Sequence, residues 1–379
     1  MICSKAFYRT LQSSGIHFYA GVPDSLLKAF CACLSDHADP ESHIIAANEG
    51  GAVALAAGYH LATGRVPLVY MQNSGFGNSI NPLLSLTDPE VYSIPMLLLI
   101  GWRGEPGLPD EPQHVKQGSV QGKLLDAVEI PWAVIGPESA DFETVVRTMI
   151  AQAESEKRPV ALLVRKGTFE PYHNIHGEQE APLLTREEAL RVLVPSLEEQ
   201  DIVVSTTGML SREVFEIRAS HEMGHHRDFL TVGSMGHCSQ IALGIAIQKR
   251  SRRVFCIDGD GSLLMHMGSL AITGSRKPAN FRHIVINNGA HDSVGGQPTA
   301  GFHIDIPALA TACGYRESRC VHDRQTLEEG MDWLKEATGP VLLEVRVKKG
   351  ARKDLGRPDR KPVHNKKQFM DYLLKDPPS

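Results

Sequence analysis

The two halves of this chain repeat one succession of helical and apolar segments. In each half, an Ala- and Gly-rich segment precedes an apolar run, and another apolar run follows a Pro further along. The matched positions are Gly58 with Gly244, Val66 with Val254, and Pro159 with Pro340. Their separations of 186, 188 and 181 residues are close to half of the 379-residue length. Such nearly equal offsets indicate two copies of one structural unit.

Apolar runs bounded by Gly or Pro alternate with helical patterns along the whole chain. The predicted strands lie at 67–71, 95–100, 160–164, 254–257, 283–287 and 341–345. Continuous apolar runs of this length are typical of parallel strands that helices cover on both faces. We therefore predict an α/β protein with two similar doubly wound parallel-sheet domains, at 1–168 and 183–379, joined by a polar linker at 169–182.

Composition excludes several classes of protein. The chain is 42% hydrophobic and 22% charged, which is typical of a globular protein. It has no run near the roughly 18 apolar residues of a membrane span and no signal-peptide core. We therefore expect a cytoplasmic protein without a membrane partner. Its seven Cys are scattered and do not have the spacing of a disulfide or zinc framework.

Residues 348–376 form a basic tail. They carry ten Lys or Arg and four Asp, although the whole chain has a net charge of −5. The tail lacks the interleaved aromatic residues and the fold signature of a nucleic-acid-binding arm. The favoured interpretation is a tail that is solvated or packs against a subunit, and no nucleic-acid partner is expected.

The most informative motif is Asp-Gly-Asp-Gly-Ser at residues 258–262, directly after a predicted strand. Asn-Asn at 287–288 ends the next predicted strand. Asp260 and Asn288 offer the carboxylate and amide oxygens that suit Mg²⁺ bridging a diphosphate. Because ligands bind at the carboxyl ends of parallel strands, the sequence predicts a metal and phosphate site there.

The same motif favours an anion beside the metal. Gly261 lets the backbone approach a phosphate closely. Ser262 is predicted to open a helix over 263–273, whose free backbone N–H groups would attract the phosphate.

This spacing resembles the Gly-Asp-Gly and Asn-Asn signature of the thiamine diphosphate enzymes, with 25 residues between Gly261 and Asn287. The resemblance implies thiamine diphosphate and Mg²⁺ as cofactors. It also implies that Mg²⁺ is held by Asp260, Asn288 and the carbonyl of Ala290.

Two further segments extend the resemblance. Residues 47–58 resemble the segment that supplies the cofactor's glutamate, so Glu49 would share a proton with the aminopyrimidine ring. The turn at 233–236 resembles the one that bends the cofactor, with the Gly233 carbonyl accepting from the exocyclic amine and Met235 between the two rings. The resemblance also assigns to the cofactor site Thr207, Gly208, Gly261 and Ser262. A helix-start Glu and an ordinary core Met are the alternative interpretations of Glu49 and Met235.

Longer segments resemble the phosphonopyruvate decarboxylases, which have two domains and no middle domain. These segments are 21–28, 71–83, 101–118, 287–299 and 350–358. The resemblance implies non-oxidative decarboxylation of 3-phosphonopyruvate to phosphonoacetaldehyde and CO₂. It further implies a homodimer or larger homo-oligomer with active sites shared between subunits. Sulfopyruvate decarboxylases and two-domain carboligases with the same cofactor are the alternatives.

Asp24 and His114 are the candidates, on this resemblance, for handling the proton and the substrate carboxylate. Asp24 could instead cap a helix that begins near Leu26. A phosphonate requires cationic partners, since a guanidinium grips it with two hydrogen bonds. The candidates to bind the substrate are Arg103, Lys116 and His291. Each is equally plausible as a solvated surface group.

Residues 221–225, His-Glu-Met-Gly-His, match a metallopeptidase pattern in which two His lie one helical turn apart. Gly224 and Gly233 weaken the helix that zinc binding would need. We therefore do not expect a zinc hydrolase.

Overall fold

The computed structural model describes residues 1–172 and 183–375. The chain divides into two compact units, Met1–Glu178 and Gln179–Ser379. Most of the predicted linker at 169–182 lies outside the described residues, so the domain limits proposed from the sequence stay a prediction.

The first unit contains a six-stranded sheet with helices between its strands. Its strands are β1 (Tyr19–Gly21), β2 (His43–Ile45), β3 (Leu68–Gln72), β4 (Met96–Gly101), β5 (Trp132–Ile135) and β6 (Pro159–Val164). Its helices are α1 (Ser4–Ser13), α2 (Lys28–His37), α3 (Glu49–Thr63), α4 (Phe76–Pro82), α5 (Pro112–Ala127) and α6 (Phe142–Glu156). The strand order is β2-β1-β3-β4-β6-β5, and neighbouring strands are parallel.

The second unit also contains a six-stranded parallel sheet. Its strands are β7 (Ile202–Ser205), β8 (Asp228–Leu230), β9 (Val254–Gly259), β10 (Phe281–Asn287), β11 (Glu317–Val321) and β12 (Val341–Arg346). Its helices are α7 (Arg186–Ser196), α8 (Met209–Ser220), α9 (Cys238–Gln248), α10 (Asp260–Met265), α11 (Ser269–Arg276), α12 (Ile306–Ala312), α13 (Arg324–Glu336) and α14 (Pro362–Leu373). The strand order is β11-β12-β10-β9-β7-β8.

Both sheets have the same topology. When the strands are counted within each unit, the order is 2-1-3-4-6-5 in both, read from opposite edges. The sequence repeat pairs β3 with β9 and β6 with β12, which hold the same rank in their units. The predicted fold class, two doubly wound parallel-sheet domains, is therefore confirmed.

Alternate residues of the central strands enter two apolar layers. In β3, Leu68 and Tyr70 join one buried layer, and Val69 and Met71 join the other. A sheet covered on both faces explains the continuous apolar runs in the sequence. The candidate site lies on the loops at the carboxyl ends of these strands.

One helix prediction was wrong. The helix expected over 263–273 is interrupted, because α10 ends at Met265 and α11 begins at Ser269. Ser262 is the third residue of α10 and does not open it. The chain already turns into a helix at Asp260, which places that carboxylate in the first turn.

The zinc-like pattern at 221–225 is not helical. α8 ends at Ser220, and Glu222 and Gly224 have positive φ angles of 55° and 69°. The two His therefore do not share one helix face, in keeping with the predicted weakening of the helix at Gly224.

The described part of the basic tail packs against the second unit. Phe369 of α14 lies 5.6 Å from Phe229 between ring centroids, and the Arg252 guanidinium lies 4.3 Å from the centre of the Tyr372 ring. Among the described helices, none is long and apolar enough to cross a membrane.

Candidate active site

The site residues of the first unit lie on loops at the carboxyl ends of three neighbouring strands. Asp24 follows β1, Gln72 ends β3, and Arg103 follows β4. The parallel pairing of these strands brings the three ends to one edge of the sheet.

Asp24 is completely buried. Its Oδ1 accepts from Gln72 Nε2 at 2.5 Å, and its Oδ2 accepts from the Leu26 N–H at 3.0 Å. Burial raises the pKa of Asp24, although both hydrogen bonds and the charge of Arg103 oppose the shift. Because α2 begins at Lys28 without a side-chain cap, Asp24 closes a turn and does not cap that helix. The edge of the sheet thus holds a carboxyl group with a raised pKa.

Arg103 is paired with a carboxylate of its own loop. Its Nε donates to Asp110 Oδ2 at 2.8 Å, and its Nη2 donates to Asp110 Oδ1. Its Nη1 donates to Ser25 Oγ at 2.9 Å, next to Asp24 in the sequence. The bond to Asp110 raises the pKa of Arg103 and fixes its guanidinium. Phosphonate binding by Arg103 stays a prediction.

His114 lies in the first turn of α5 and is buried. Burial first, and then the charge of Arg103, lower the pKa of His114, so the ring is neutral at neutral pH. In the described part of the chain, its Nδ1 has no hydrogen-bond partner. Lys116 is exposed on the same helix. The roles of both residues stay predictions.

Glu49 is the buried first residue of α3. The Asn48 side chain caps the helix by accepting from the Gly51 N–H at 2.8 Å. Glu49 Oε2 accepts from Asn78 Nδ2 at 2.8 Å. A Cβ atom at Gly75 would overlap with Glu49 Oε1. Asn78 and Gly75 therefore fix the carboxylate from two sides.

In the second unit, Asp260 and Asn288 follow the neighbouring parallel strands β9 and β10. Asp260 is buried, and its Oδ2 accepts from Thr299 Oγ1. Burial raises the pKa of Asp260 to about 6. Within residues 1–172 and 183–375, no basic side chain forms an ion pair with this carboxylate. A buried carboxylate without a cationic partner suits a metal ion.

The loop after β10 folds back over the metal motif. Asn288 Oδ1 accepts from the Ala290 N–H at 3.1 Å, and Asn288 Nδ2 donates to Asp292 Oδ2 at 2.8 Å. An antiparallel bridge joins Ala290 to Pro298 and returns the chain toward Asp260. A Cβ atom at Gly301 would lie 2.8 Å from Asp260 Oδ2. Asp260 begins α10, Asn288 and Ala290 lie in the loop after β10, and Thr299 and Gly301 of that loop approach the Asp260 carboxylate.

The turn at 233–236 is hydrogen-bonded to two other predicted cofactor residues. Thr207 Oγ1 accepts from the Gly233 N–H at 2.9 Å, and Ser262 Oγ accepts from the Gly236 N–H at 3.1 Å. Gly233 and Gly236 have φ angles of 77° and 88°, which only Gly adopts without strain. These hydrogen bonds join the turn to the start of α10 and to the segment between β7 and α8.

Gly261 faces the side chains of Met235 and His291. A Cβ atom at Gly261 would lie 3.3 Å from Met235 Cε and 2.9 Å from His291 Cε1, so little more than backbone fits there. Burial lowers the pKa of His291 to about 4, so it would offer a substrate a neutral ring. Gly208 lies near Ser293, which belongs to the loop after β10, as His291 does. The structure therefore brings these predicted residues together around the phosphate motif.

The donors fit the implied cofactor. Asp260, Asn288 and the Ala290 carbonyl are hard oxygen ligands of the kind that Mg²⁺ prefers. Glu49 offers a carboxylate oxygen beside a position kept free of side-chain atoms. The metal assignment and the individual site roles stay predictions.

Sequence reasoning missed the groups that hold these side chains in place. They are Gln72, Gly75, Asn78, Asp110, Asp292, Thr299 and Gly301. All except Gly301 lie in segments 71–83, 101–118 and 287–299, whose resemblance to a family was the available signal.

The raised pKa of Asp24 predicts a pH-dependent stability. The folded protein holds this proton more tightly than the unfolded chain, whose ordinary pKa is 3.8. The contribution of Asp24 to the free energy of unfolding is therefore complete below pH 3.8. It is lost as the pH rises through the pKa that Asp24 has in the folded protein. Relative to Asp24→Asn, the free energy of unfolding of the wild type should fall with rising pH, by at most about 1.4 kcal/mol per pH unit.

Urea titrations from pH 4 to 8 measure this difference. Asp39→Asn is the matched control, because exposed Asp39 accepts from a backbone N–H two residues ahead, as Asp24 does. A difference between wild type and Asp24→Asn that does not change with pH would refute the assignment.

Gly75→Ala tests the contact with Glu49. The backbone at Gly75, with φ −84° and ψ −10°, accepts Ala, so the change acts through the added methyl group. Displacing the carboxylate should lower thiamine diphosphate-dependent turnover by about 100-fold. Gly77→Ala is the control, because nothing lies within 4 Å of its Cβ position. Equal turnover in the two variants would show that the Glu49 carboxylate does not depend on the missing side chain at Gly75.

Comparisons with known proteins agree with this geometry. Residues 1–130 match the family described as thiamine pyrophosphate enzyme, N-terminal TPP binding domain, and residues 206–345 match its C-terminal TPP binding domain. A phosphonopyruvate decarboxylase of Streptomyces viridochromogenes is 36% identical over 97% of this chain and 94% of its own length. One of Streptomyces hygroscopicus is 34% identical over 100% of this chain and 96% of its own. A sulfopyruvate decarboxylase of Methanosarcina acetivorans is 27% identical over 90% of each chain.

The matches confirm the thiamine diphosphate cofactor that the resemblance implies. They cover both units and nearly the whole chain. The chain therefore belongs to the phosphonopyruvate decarboxylase family of thiamine diphosphate-dependent enzymes.

Proposed function

We propose that this chain decarboxylates 3-phosphonopyruvate to phosphonoacetaldehyde and CO₂, using thiamine diphosphate and Mg²⁺. The near end-to-end similarity to two phosphonopyruvate decarboxylases carries the proposal. The buried carboxyl groups of Asp24, Glu49 and Asp260 at the strand ends support it, because this reaction needs protons and a metal at defined positions.

Each of these residues has a distinct role in the proposal. Bound thiamine diphosphate supplies the electron sink that cleavage beside a ketone requires. Glu49 holds a proton at the pyrimidine ring of the cofactor. Asp260, Asn288 and the Ala290 carbonyl would hold Mg²⁺, which would neutralise the diphosphate charge. Asp24, with its raised pKa, would deliver a proton to the carbon that loses CO₂. His114, which its lowered pKa leaves neutral, would donate an N–H hydrogen bond to the substrate carboxylate.

Release of CO₂ tests both the mechanism class and the substrate. Protein freed of cofactor should turn over phosphonopyruvate only after thiamine diphosphate and Mg²⁺ are added together, and faster than sulfopyruvate or pyruvate. A preference for sulfopyruvate would replace the proposed substrate and leave the cofactor chemistry intact. Turnover without thiamine diphosphate would overturn the whole proposal.

We also propose that the enzyme acts as a homodimer or larger homo-oligomer with shared active sites. α3, which carries Glu49, leaves an apolar stripe exposed. The stripe consists of Gly51, Ala54, Leu55, Gly58, Leu61 and Ala62, with Leu61 71% exposed. An uninterrupted apolar stripe on a helix is typical of a subunit contact, and a second copy of this chain is the proposed occupant.

A hybrid of two inactive variants tests whether the sites are shared. Glu49→Gln and Asp260→Asn, each alone, should lower turnover by at least about 100-fold. Co-expressed with different tags and purified as a hybrid dimer, they should regain about half of the wild-type activity, because one of the two sites is then intact. A purified hybrid that stays inactive would show that Glu49 and Asp260 act within one subunit.

A further inference from the structure

Three distant parts of the second unit meet at one oxygen atom of Asp292. Asp292 Oδ2 accepts from Asn288 Nδ2 at 2.8 Å, from Arg186 Nη1 at 2.9 Å and from the Gly350 N–H at 2.9 Å. Asn288 is a proposed Mg²⁺ ligand, whereas the other two donors lie far from it in the sequence. The carboxylate therefore links the metal loop to α7 and to the segment after β12.

Arg186 is itself held rigidly. It is the buried first residue of α7, and its Nε and Nη2 donate to both oxygens of Glu213 on α8, at 2.7 and 3.0 Å. A guanidinium is planar, so this two-point contact also fixes the direction of Nη1. Arg186 thus presents one donor to Asp292 in a set orientation.

Residues 350–358 have no role in the proposed chemistry, although they resemble the family. In the structure they cross α7 and α8 on the outside. Arg352 pairs with Glu187 of α7 at 3.1 Å and with Glu216 of α8. The Gly356 N–H donates to Glu216 Oε1 at 2.6 Å. These contacts fix the segment on the helices that carry Arg186 and Glu213, and they hold Gly350 beside Asp292.

We infer that Asp292 is a positioning residue for Mg²⁺, and that Arg186 and residues 350–356 hold Asp292 in place. An Asn side chain has one donor end and one acceptor end. Since Asp292 takes the donor end of Asn288, the amide oxygen faces away from Asp292. There it accepts from the Ala290 N–H at 3.1 Å and keeps a second lone pair that a cation could use. This inference rests on the metal site of the proposed function, and partners of this kind orient metal ligands in other proteins.

Binding of Mn²⁺ in the presence of thiamine diphosphate, followed by electron paramagnetic resonance, tests the inference without relying on activity. Asp292→Ala should weaken Mn²⁺ binding by about 10- to 100-fold. Asp292→Asn keeps an oxygen acceptor and should fall between Asp292→Ala and the wild type. The control is Asp323→Ala, which removes a helix cap of α13 and lowers stability without touching the metal loop.

A second variant covers the case in which Asp292→Ala fails to fold. Arg352→Gln changes the surface contacts with Glu187, Glu216 and Asp354, and it should weaken Mn²⁺ binding several-fold.

Asp260→Asn separates the two proposals. If it abolishes Mn²⁺ binding while Asp292→Ala and Arg352→Gln bind normally, the positioning role is refuted and the metal site stands. If Asp260→Asn also binds normally, the metal site and the inference fail together.

Discussion

The candidate site depends on carboxylates that are buried at the ends of parallel strands. The buried groups are Asp24, Glu49 and Asp260. A buried charge without compensation is costly. Their side-chain hydrogen-bond donors are the neutral groups of Gln72, Asn78 and Thr299. Neutral donors hold these carboxylates in place without supplying a positive charge. Burial accordingly raises the pKa of Asp24 and of Asp260, even though Arg103 partly offsets the shift at Asp24.

The two units carry different polar residues on one topology. The strand order is the same, and in both the polar loops follow the carboxyl ends of the central strands. In the first unit these loops carry the buried acids Asp24 and Glu49. In the second they carry oxygen ligands and glycines suited to a metal and a phosphate. The duplicated fold provides the position, and a few loop residues decide what is bound there.

Those parts of the fold and of the site that depend on a local sequence pattern could be predicted. Long apolar runs identified the central strands. The spacing of Asp260 and Asn288 placed these two residues correctly after neighbouring strands, and their role as metal ligands stays a prediction. Short strands such as β2 and β11 were missed because three to five residues, partly exposed, carry no clear periodicity. The partner of Glu49 was missed for another reason. Asn78 is distant in sequence and meets Glu49 only through the packing of α4 against α3, which no local pattern records.

The glycines beside the buried acids have a consequence for how such enzymes tolerate change. A Cβ atom at Gly75 or Gly101 would overlap with an oxygen of Glu49 or Asp24. These positions contribute no reactive atom, so a survey that ranks residues by their chemistry would pass over them. Yet evolution can hardly explore them, because the smallest side chain already displaces the acid. In a mutational library, they should be kept fixed together with the acids they face.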